Sequence, residues 1–458
     1  MQARRELPLP RIDEELLAFV LRRPPRWFWW AAGLLGAFLA AALVSEAVMI
    51  VVGLEVMGLT NTVYWAVLIA NFIFWVGISH AGVMISAILR LTRAEWRRPI
   101  TRSAEVLAVF ALTTAGLFPL IHTGRVWRTI YWIFPYDFAR DVWPGVRSPL
   151  VWDPAAIVTY LTATILFVYV GLIPDLAVAR DRAADRRRAV YGALALGFRG
   201  TTRQWRIQAV AGQLLPALIL PVFVSVHSIV AWDLSMTLLP GWHTTALAPY
   251  FVIGAVHSGL AGVVTTMVVL RRALGLRDYI TRDHLDAVGR LQVVVVLGYV
   301  FFVLTDFYFG LFAGDALNRR IWELRLLTPP TSWLSYAQLA TTVLIPLPLW
   351  LIRRVRRSFG WMLALSFLVN VGMWLERYIL VVTPLNYKQP FTFTWVEPYA
   401  PQPVEYALSL GAVALVATGL LLFAKLLPIV PLWDVKEGQV VASELQVGRA
   451  RVPATFHE

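Results

Sequence analysis

Ten stretches of roughly twenty or more mostly apolar residues recur along this chain, and they leave few folds open. They run approximately over 27–52, 61–90, 104–123, 153–179, 207–232, 242–270, 285–312, 331–352, 359–382 and 402–430. A stretch of that length crosses a hydrocarbon core as a helix. Lipid admits only helices or closed barrels, because every backbone N–H and C=O must find its partner inside the protein. The expected fold is therefore all-α, a polytopic membrane protein with ten transmembrane helices. Composition agrees, since 15% of residues are charged against about 25% in soluble domains. The first run, from Trp27 to about Val52, exceeds the apolar core of a cleaved signal peptide.

Loop charges give an orientation. The loops after spans 2, 4, 6 and 8 carry 21 Lys and Arg, and those after spans 1, 3, 5, 7 and 9 carry 8. The positive-inside rule then puts both termini in the cytoplasm and the end of span 3 on the outer face. The same distribution argues against nucleic acid as a partner, because the net charge of +13 is scattered over short loops rather than gathered on one soluble face. Residues 1–26 include "RIDEELLAFVLRR", expected as an amphipathic helix along the cytoplasmic surface. Residues 431–458 read as a short polar cytoplasmic tail without a fold of its own.

An internal repeat organises the spans. In spans 2 and 6 a histidine is followed by a small residue and glycine, His80-Ala81-Gly82 and His257-Ser258-Gly259, then by an apolar half-helix and an Arg-rich turn. The offset of four spans keeps both copies pointing the same way. It suggests two four-helix bundles, spans 1–4 (residues 27–180) and spans 5–8 (residues 181–358), with two further helices over 359–430.

Polar residues inside such a chain need a reason, because each ionisable group in the bilayer costs about 2.5–3.5 kcal/mol on insertion scales. His122, Asp153, Asp233 and His243 fall at one depth near the outer face. The loop of about 30 residues after span 3 is long enough to cover them. A neutral imidazole and a carboxylate in an aromatic-walled pocket suit the two-electron, two-proton oxidation of a quinol, in which each hydroxyl meets a base. In the stretch "IHTGRVWRTIYWIFPYD", His122 is the expected proton acceptor, Arg125 steadies charge, and Trp127, Tyr131 and Trp132 offer ring contacts. A simpler role stays open for Asp153, which precedes Pro154 and could cap a helix. A deeper set, Glu46, His80, Asp175, His257, Asp306 and Glu376 beside Arg377, could carry protons part of the way across the membrane. Structural pairing or close helix packing would explain them equally well.

The cysteine count of zero excludes disulfides, iron–sulfur clusters and thiolate metal sites in this chain, so any redox cluster must belong to another subunit. Haem is also disfavoured. His243 and His257 are 14 residues apart on one helix, but His80, His122 and His227 supply no second pair at that spacing. No phosphate-binding loop, dinucleotide fingerprint or metalloprotease motif occurs in a workable context.

The segments "NFIFWVGISHAGVMISAIL", "LFPLIHTGRVWR", "VHSIVAWDLSMTLLPGWHTT" and "VPLWDVKEG" resemble the NrfD/polysulfide-reductase membrane-subunit family, especially its quinol-oxidising ActC branch in bacterial alternative complex III. The resemblance spans nearly the whole chain. It implies a subunit of the bacterial inner membrane that holds no prosthetic group and binds quinol, with menaquinol expected, at the outer side of its first bundle. Electrons would pass to an external iron–sulfur subunit and on to c-type haem subunits, beside other membrane subunits that include a similar NrfD-like chain. It assigns quinol-site roles to His122 and Asp153, extending to Asp233, and a proton route to some of the intramembrane His, Asp and Glu. Two other readings are a secondary transporter built on parallel bundle repeats and a passive anchor that has lost its quinone site.

Overall fold

The computed structural model describes residues 8–124, 126–129, 141, 149–387, 399–441, 444–447 and 450–453. Among them, ten helices are long and apolar enough to cross a membrane: Arg26–Val52, Ala66–Leu91, Thr101–His122, Pro149–Arg182, Thr202–Ser235, Leu247–Ala273, Arg282–Phe312, Thr331–Leu351, Phe359–Leu385 and Pro403–Leu426. These are spans 1 to 10. They coincide with the ten apolar runs of the sequence, and the chain is an all-α, multi-pass membrane protein.

Packing groups the spans differently from the expectation. Span 2 packs on spans 3, 5 and 6, and span 4 on spans 3 and 5, so spans 2–5 close into one four-helix group. Span 9 packs on spans 6 and 8 and span 7 on span 6, closing a second group of spans 6–9. Span 1 lies chiefly against span 10, outside both. The expected bundles, spans 1–4 and 5–8, are thus shifted by one span, while the four-span offset of the repeat is kept. Hydropathy marks a segment as membrane-crossing without saying what it faces, and only Phe28 and Met49 of span 1 are buried.

The two most buried spans, 2 and 6, meet at the repeated histidine motif. A Cβ on Gly259 would fall 2.1 Å from the Ala81 Cβ, so this crossing requires glycine there. Across the repeat, Gly77 and Gly82 flank His80 at the same spacing as Gly254 and Gly259 flank His257.

Prolines provide the polar bolts between spans. A helical proline lacks the N–H that would bond the carbonyl four residues earlier, and a buried carbonyl left over must find another donor. Three do so. Pro174 frees the Val170 carbonyl, which accepts from Gln208 Nε2 of span 5 at 2.8 Å. Pro384 frees Leu380, which accepts from Trp242 Nε1 at 2.7 Å. Pro346 follows a π-helical turn at Ala340–Leu344 and frees Thr342, which accepts from His257 Nε2 at 3.1 Å. Each such bond contributes about 0.5–1.5 kcal/mol, and its partners are specified by residues far apart in the chain.

The N-terminal segment forms the expected surface helix, and the C-terminal one is more structured than its composition suggests. The surface helix Leu9–Leu21 buries Ile12, Leu16, Leu17 and Val20 against the rest of the chain. Lys425 donates to the carbonyls at its end, Phe19 at 2.6 Å and Arg22 at 2.5 Å. Glu15 is penalised by burial, yet hydrogen bonds from Arg11 and Tyr279 hold its carboxyl below the usual value. The C-terminal segment, expected to lack a fold, forms a helix, Leu432–Val441, followed by an antiparallel pair of strands, Glu444–Val447 and Ala450–Pro453. Its Asp434 is 0% exposed.

Candidate functional site

At one end of spans 2–5 stands a set of buried polar groups with no cation among the described residues. His122 is the last residue of span 3, where Thr123 and Gly124, at φ +64°, turn the chain out of the helix. The indole of Trp65 stacks on its imidazole, with ring centroids 5.1 Å apart and planes 24° from parallel. Its Nδ1 is buried and has no hydrogen-bond partner among the described residues. Trp65 has φ 60°, a left-handed conformation that costs a non-glycine residue about 1–3 kcal/mol and so draws attention to a site.

Asp153 lies in the first turns of span 4 and is 4% exposed. Span 4 begins at Pro149, so Asp153 sits about one turn inside the helix and the capping role does not apply. Its carboxyl meets that of Asp233, in the last turn of span 5, at hydrogen-bonding range. The adjoining Trp152 and Trp232 meet edge to face at 6.4 Å. One oxygen of each carboxyl, Oδ1, has no hydrogen-bond partner among the described residues. His243, at a similar depth, instead directs Nδ1 at the Ser235 and Thr237 carbonyls, at 3.1 and 2.8 Å.

The structure therefore pairs Asp153 with Asp233 and His122 with Trp65. Among the described residues no hydrogen bond or ion pair joins the histidine to either acid. Arg125, Tyr131 and Trp132 lie outside the described residues. Trp127 is 63% exposed, so its ring is not enclosed by them. Trp65 was missed from sequence because a tryptophan at the mouth of a span reads as an interfacial anchor.

The deeper candidates separate by their partners. His80 is fully buried, and its Nδ1 donates to the Val76 carbonyl of its own helix. That bond leaves Nε2 as the acceptor nitrogen, and Nε2 has no partner among the described residues. Its ring stacks on Tyr160 at 4.6 Å and meets His227 at 4.7 Å. His257, its repeat counterpart, has both nitrogens engaged. Gln292 Nε2 lies 2.8 Å from Nδ1, and Nε2 donates to Thr342. Glu376 pairs with Arg377 at 3.2 Å, and the Arg377 guanidinium lies 4.2 Å over the Phe251 ring. Gly254 makes room for it, since a Cβ there would come within 2.8 Å of Arg377 Nη2. Asp306 pairs with Arg325 at 3.7 Å. Glu46 sits half-buried on the peripheral span 1, and its Oε2 has no hydrogen-bond partner among the described residues.

Asp175 belongs to a compensated cluster at the arginine-rich end. Arg102, 1% exposed, lies 3.3 Å from Asp175 and 3.5 Å from Glu105, and it donates to the Gly171 carbonyl at 2.7 Å. Asp434 of the C-terminal helix approaches Arg97 at 3.4 Å, Arg90 at 3.6 Å and Arg98 at 3.9 Å. The backbone N–H of Trp433 donates to Asp175 at 3.0 Å, so a carboxylate of span 4 caps the helix of the tail. Among the described residues, no group of three or more His, Cys, Asp or Glu is placed to hold a metal ion.

Ten spans among the described residues, with a central repeat and a buried acid pair where spans 4 and 5 meet, define an integral membrane protein. Over residues 55–387 the chain matches the family described as polysulphide reductase, NrfD, and it belongs to that family. It is 24% identical over 273 residues to a membrane subunit of a putative dimethyl sulfoxide reductase from Halobacterium salinarum, a match covering 59% of this chain and 58% of that relative's length. It is 20% identical over 400 residues to a subunit of the selenate reductase from Mesobacillus selenatarsenatis, covering 83% of this chain and 89% of the relative.

Proposed function

We propose that the chain is the quinol-oxidising membrane subunit of a respiratory oxidoreductase complex of the bacterial inner membrane, with its reaction at the His122, Asp153 and Asp233 end. The observation that carries this reading is the carboxyl pair. Two acids buried against each other without a cation are costly, they cap no helix, and a contact between two carboxyls is held by a proton that can come and go.

Oxidising one quinol to the quinone releases two protons and two electrons. His122 takes one proton at Nδ1 and the Asp153–Asp233 pair takes the other. The electrons leave for a partner subunit, because a chain without cysteine holds no iron–sulfur centre. The relatives' names fit this direction of flow, since the membrane subunit of a reductase must draw electrons from a donor dissolved in the lipid. The positive-inside count favours an outward position for this end, and the family resemblance supplies an external iron–sulfur subunit and its c-type haem neighbours as the electron acceptors there. The quoted motifs and the tail "VPLWDVKEG" favour the ActC branch of alternative complex III, with menaquinol as substrate. A proton route through the membrane would start from His80, since Asp175, Asp306 and Glu376 are each paired with an arginine. His257 is fixed in two hydrogen bonds, and Glu46 stands apart on span 1.

The transporter reading gains little. Span 8 is interrupted, as such a protein requires, but the carbonyl freed there is filled by His257 rather than offered to an ion. The test is quinol-driven reduction of the partner subunits in the purified complex, with its haem and iron content determined alongside. His122→Ala and Asp153→Asn should each lower electron transfer on the order of 10²-fold while the complex still assembles. Unchanged turnover in both would overturn the proposal.

A further inference from the structure

A single histidine at a helix end needs something to keep its ring in one orientation. Among the described residues Nδ1 makes no hydrogen bond, and nothing in span 3 fixes the ring plane. The stacked indole of Trp65 does, at 5.1 Å and 24°.

The backbone around Trp65 is built to present that ring. Thr60 and Val63 close a turn, with Thr60 N–H to the Val63 carbonyl and Val63 N–H to Thr60 Oγ1, both at 3.0 Å, and Val63 is fully buried. Two consecutive non-glycine residues, Trp65 and Ala66, then take positive φ, 60° and 31°. The Trp65 carbonyl accepts from Leu68 at 2.8 Å and so opens span 2. Tyr64 braces the indole edge-on at 5.4 Å. An interfacial anchor needs none of this strain, because an extended residue at a helix mouth reaches the headgroups equally well. Here the strained turn sends the ring back onto the end of span 3.

We infer that Trp65 is a positioning residue for the proposed quinol reaction, acting through His122. Its flat face holds the imidazole so that the edge carrying Nδ1 stays turned toward the substrate. The inference rests on the proposed role of His122 and adds the residue that orients it. Proton transfer is sensitive to such placement, and a 1 Å error can cost about 10²-fold in rate.

The experiment uses the assembled complex with a short-chain naphthoquinol and measures kcat and KM for Trp65→Leu and Trp65→Phe. Leucine keeps bulk and apolarity but lacks a flat face, whereas phenylalanine keeps the face. The expected result is a fall in kcat of about tenfold or more for leucine, with KM moved less than about threefold, and a return to within about threefold of wild type for phenylalanine. An anchoring role would lower the yield of complex and leave kcat per complex alone. Wild-type kcat in Trp65→Leu, or an equal loss in Trp65→Phe, would overturn the inference. Should the leucine variant fail to assemble, the phenylalanine variant decides, because a tenfold loss there contradicts a role that needs only a flat ring. His122→Ala in the same preparation separates the two claims. Retained turnover there removes the role of His122 on which the inference rests, whereas lost turnover beside a normal Trp65→Leu sinks only the positioning role.

Discussion

Span 4 carries buried acids at both ends, Asp153 and Asp175, and the two ends keep them in opposite ways. At the arginine-rich end, Glu105, Asp175 and Asp434 lie among Arg90, Arg97, Arg98 and Arg102 at 3.3–3.9 Å. At the other end, Asp153 and Asp233 face each other with no cation among the described residues. A paired buried charge holds elements together, and its loss leaves the partner stranded. An unpaired buried acid contributes nothing to packing that asparagine would not, so its presence points to proton chemistry. Span 4 thus combines a structural end with a reactive one.

Substitutions at the two ends should separate along those lines. The largest effect is expected from Asp434→Ala, which removes a fully buried carboxylate, leaves Arg97 without its carboxylate partner and takes one partner each from Arg90 and Arg98; it should cost about 3–5 kcal/mol. Thermal unfolding of the purified complex would record it as a marked drop in midpoint or a loss of folded material, and an unchanged midpoint would remove the distinction at its structural end. Asp153→Asn should do the reverse. Quinol-driven turnover should fall on the order of 10²-fold, with the unfolding midpoint nearly unchanged, because asparagine keeps the shape and its amide can donate to Asp233 in place of the proton.

The repeated histidines sharpen the contrast at the centre. His257→Gln removes bonds to Thr342 and Gln292 and should destabilise by about 1–3 kcal/mol. His80→Gln loses ring contacts with Tyr160 and His227 but no hydrogen bond to another span, and should cost less, so a larger loss at His80 would contradict the assignment of His257 as the structural one. The smallest effect concerns the surface helix. Glu15 is held below its ordinary value of 4.5, so its contribution is present above that pH and disappears as pH falls through the lowered value. Hydrogen exchange over residues 9–21 should be slow near neutrality and speed up in that acid window. Equal protection on both sides of it would show that Glu15 does not hold the helix.

Much of this was legible from residues alone, and what was missed has physical causes. The ten spans follow from apolar length, and the shared depth of Asp153 and Asp233 follows from their places at span ends. The grouping of spans did not follow, because lipid and protein are equally apolar surroundings for a helix such as Arg26–Val52. The C-terminal helix was hidden because the partners of Asp434 lie more than 330 residues away. The bolts at Pro174, Pro346 and Pro384 were half-visible. A proline inside a span announces a free carbonyl, but only the fold shows whether Gln208, His257 or Trp242 fills it. Trp65 was masked by the ordinary use of tryptophan at membrane interfaces.

Photoaffinity labelling of the intact complex with an azido-quinone, read by peptide mass spectrometry, tests the central claim most directly. Adducts are expected where span 3 ends and spans 2 and 4 begin, near Trp65, His122 and Asp153, and they should fade when natural quinone is added in excess. Adducts confined to spans 6–9 or to the arginine-rich end, with that region unlabelled, would contradict the account.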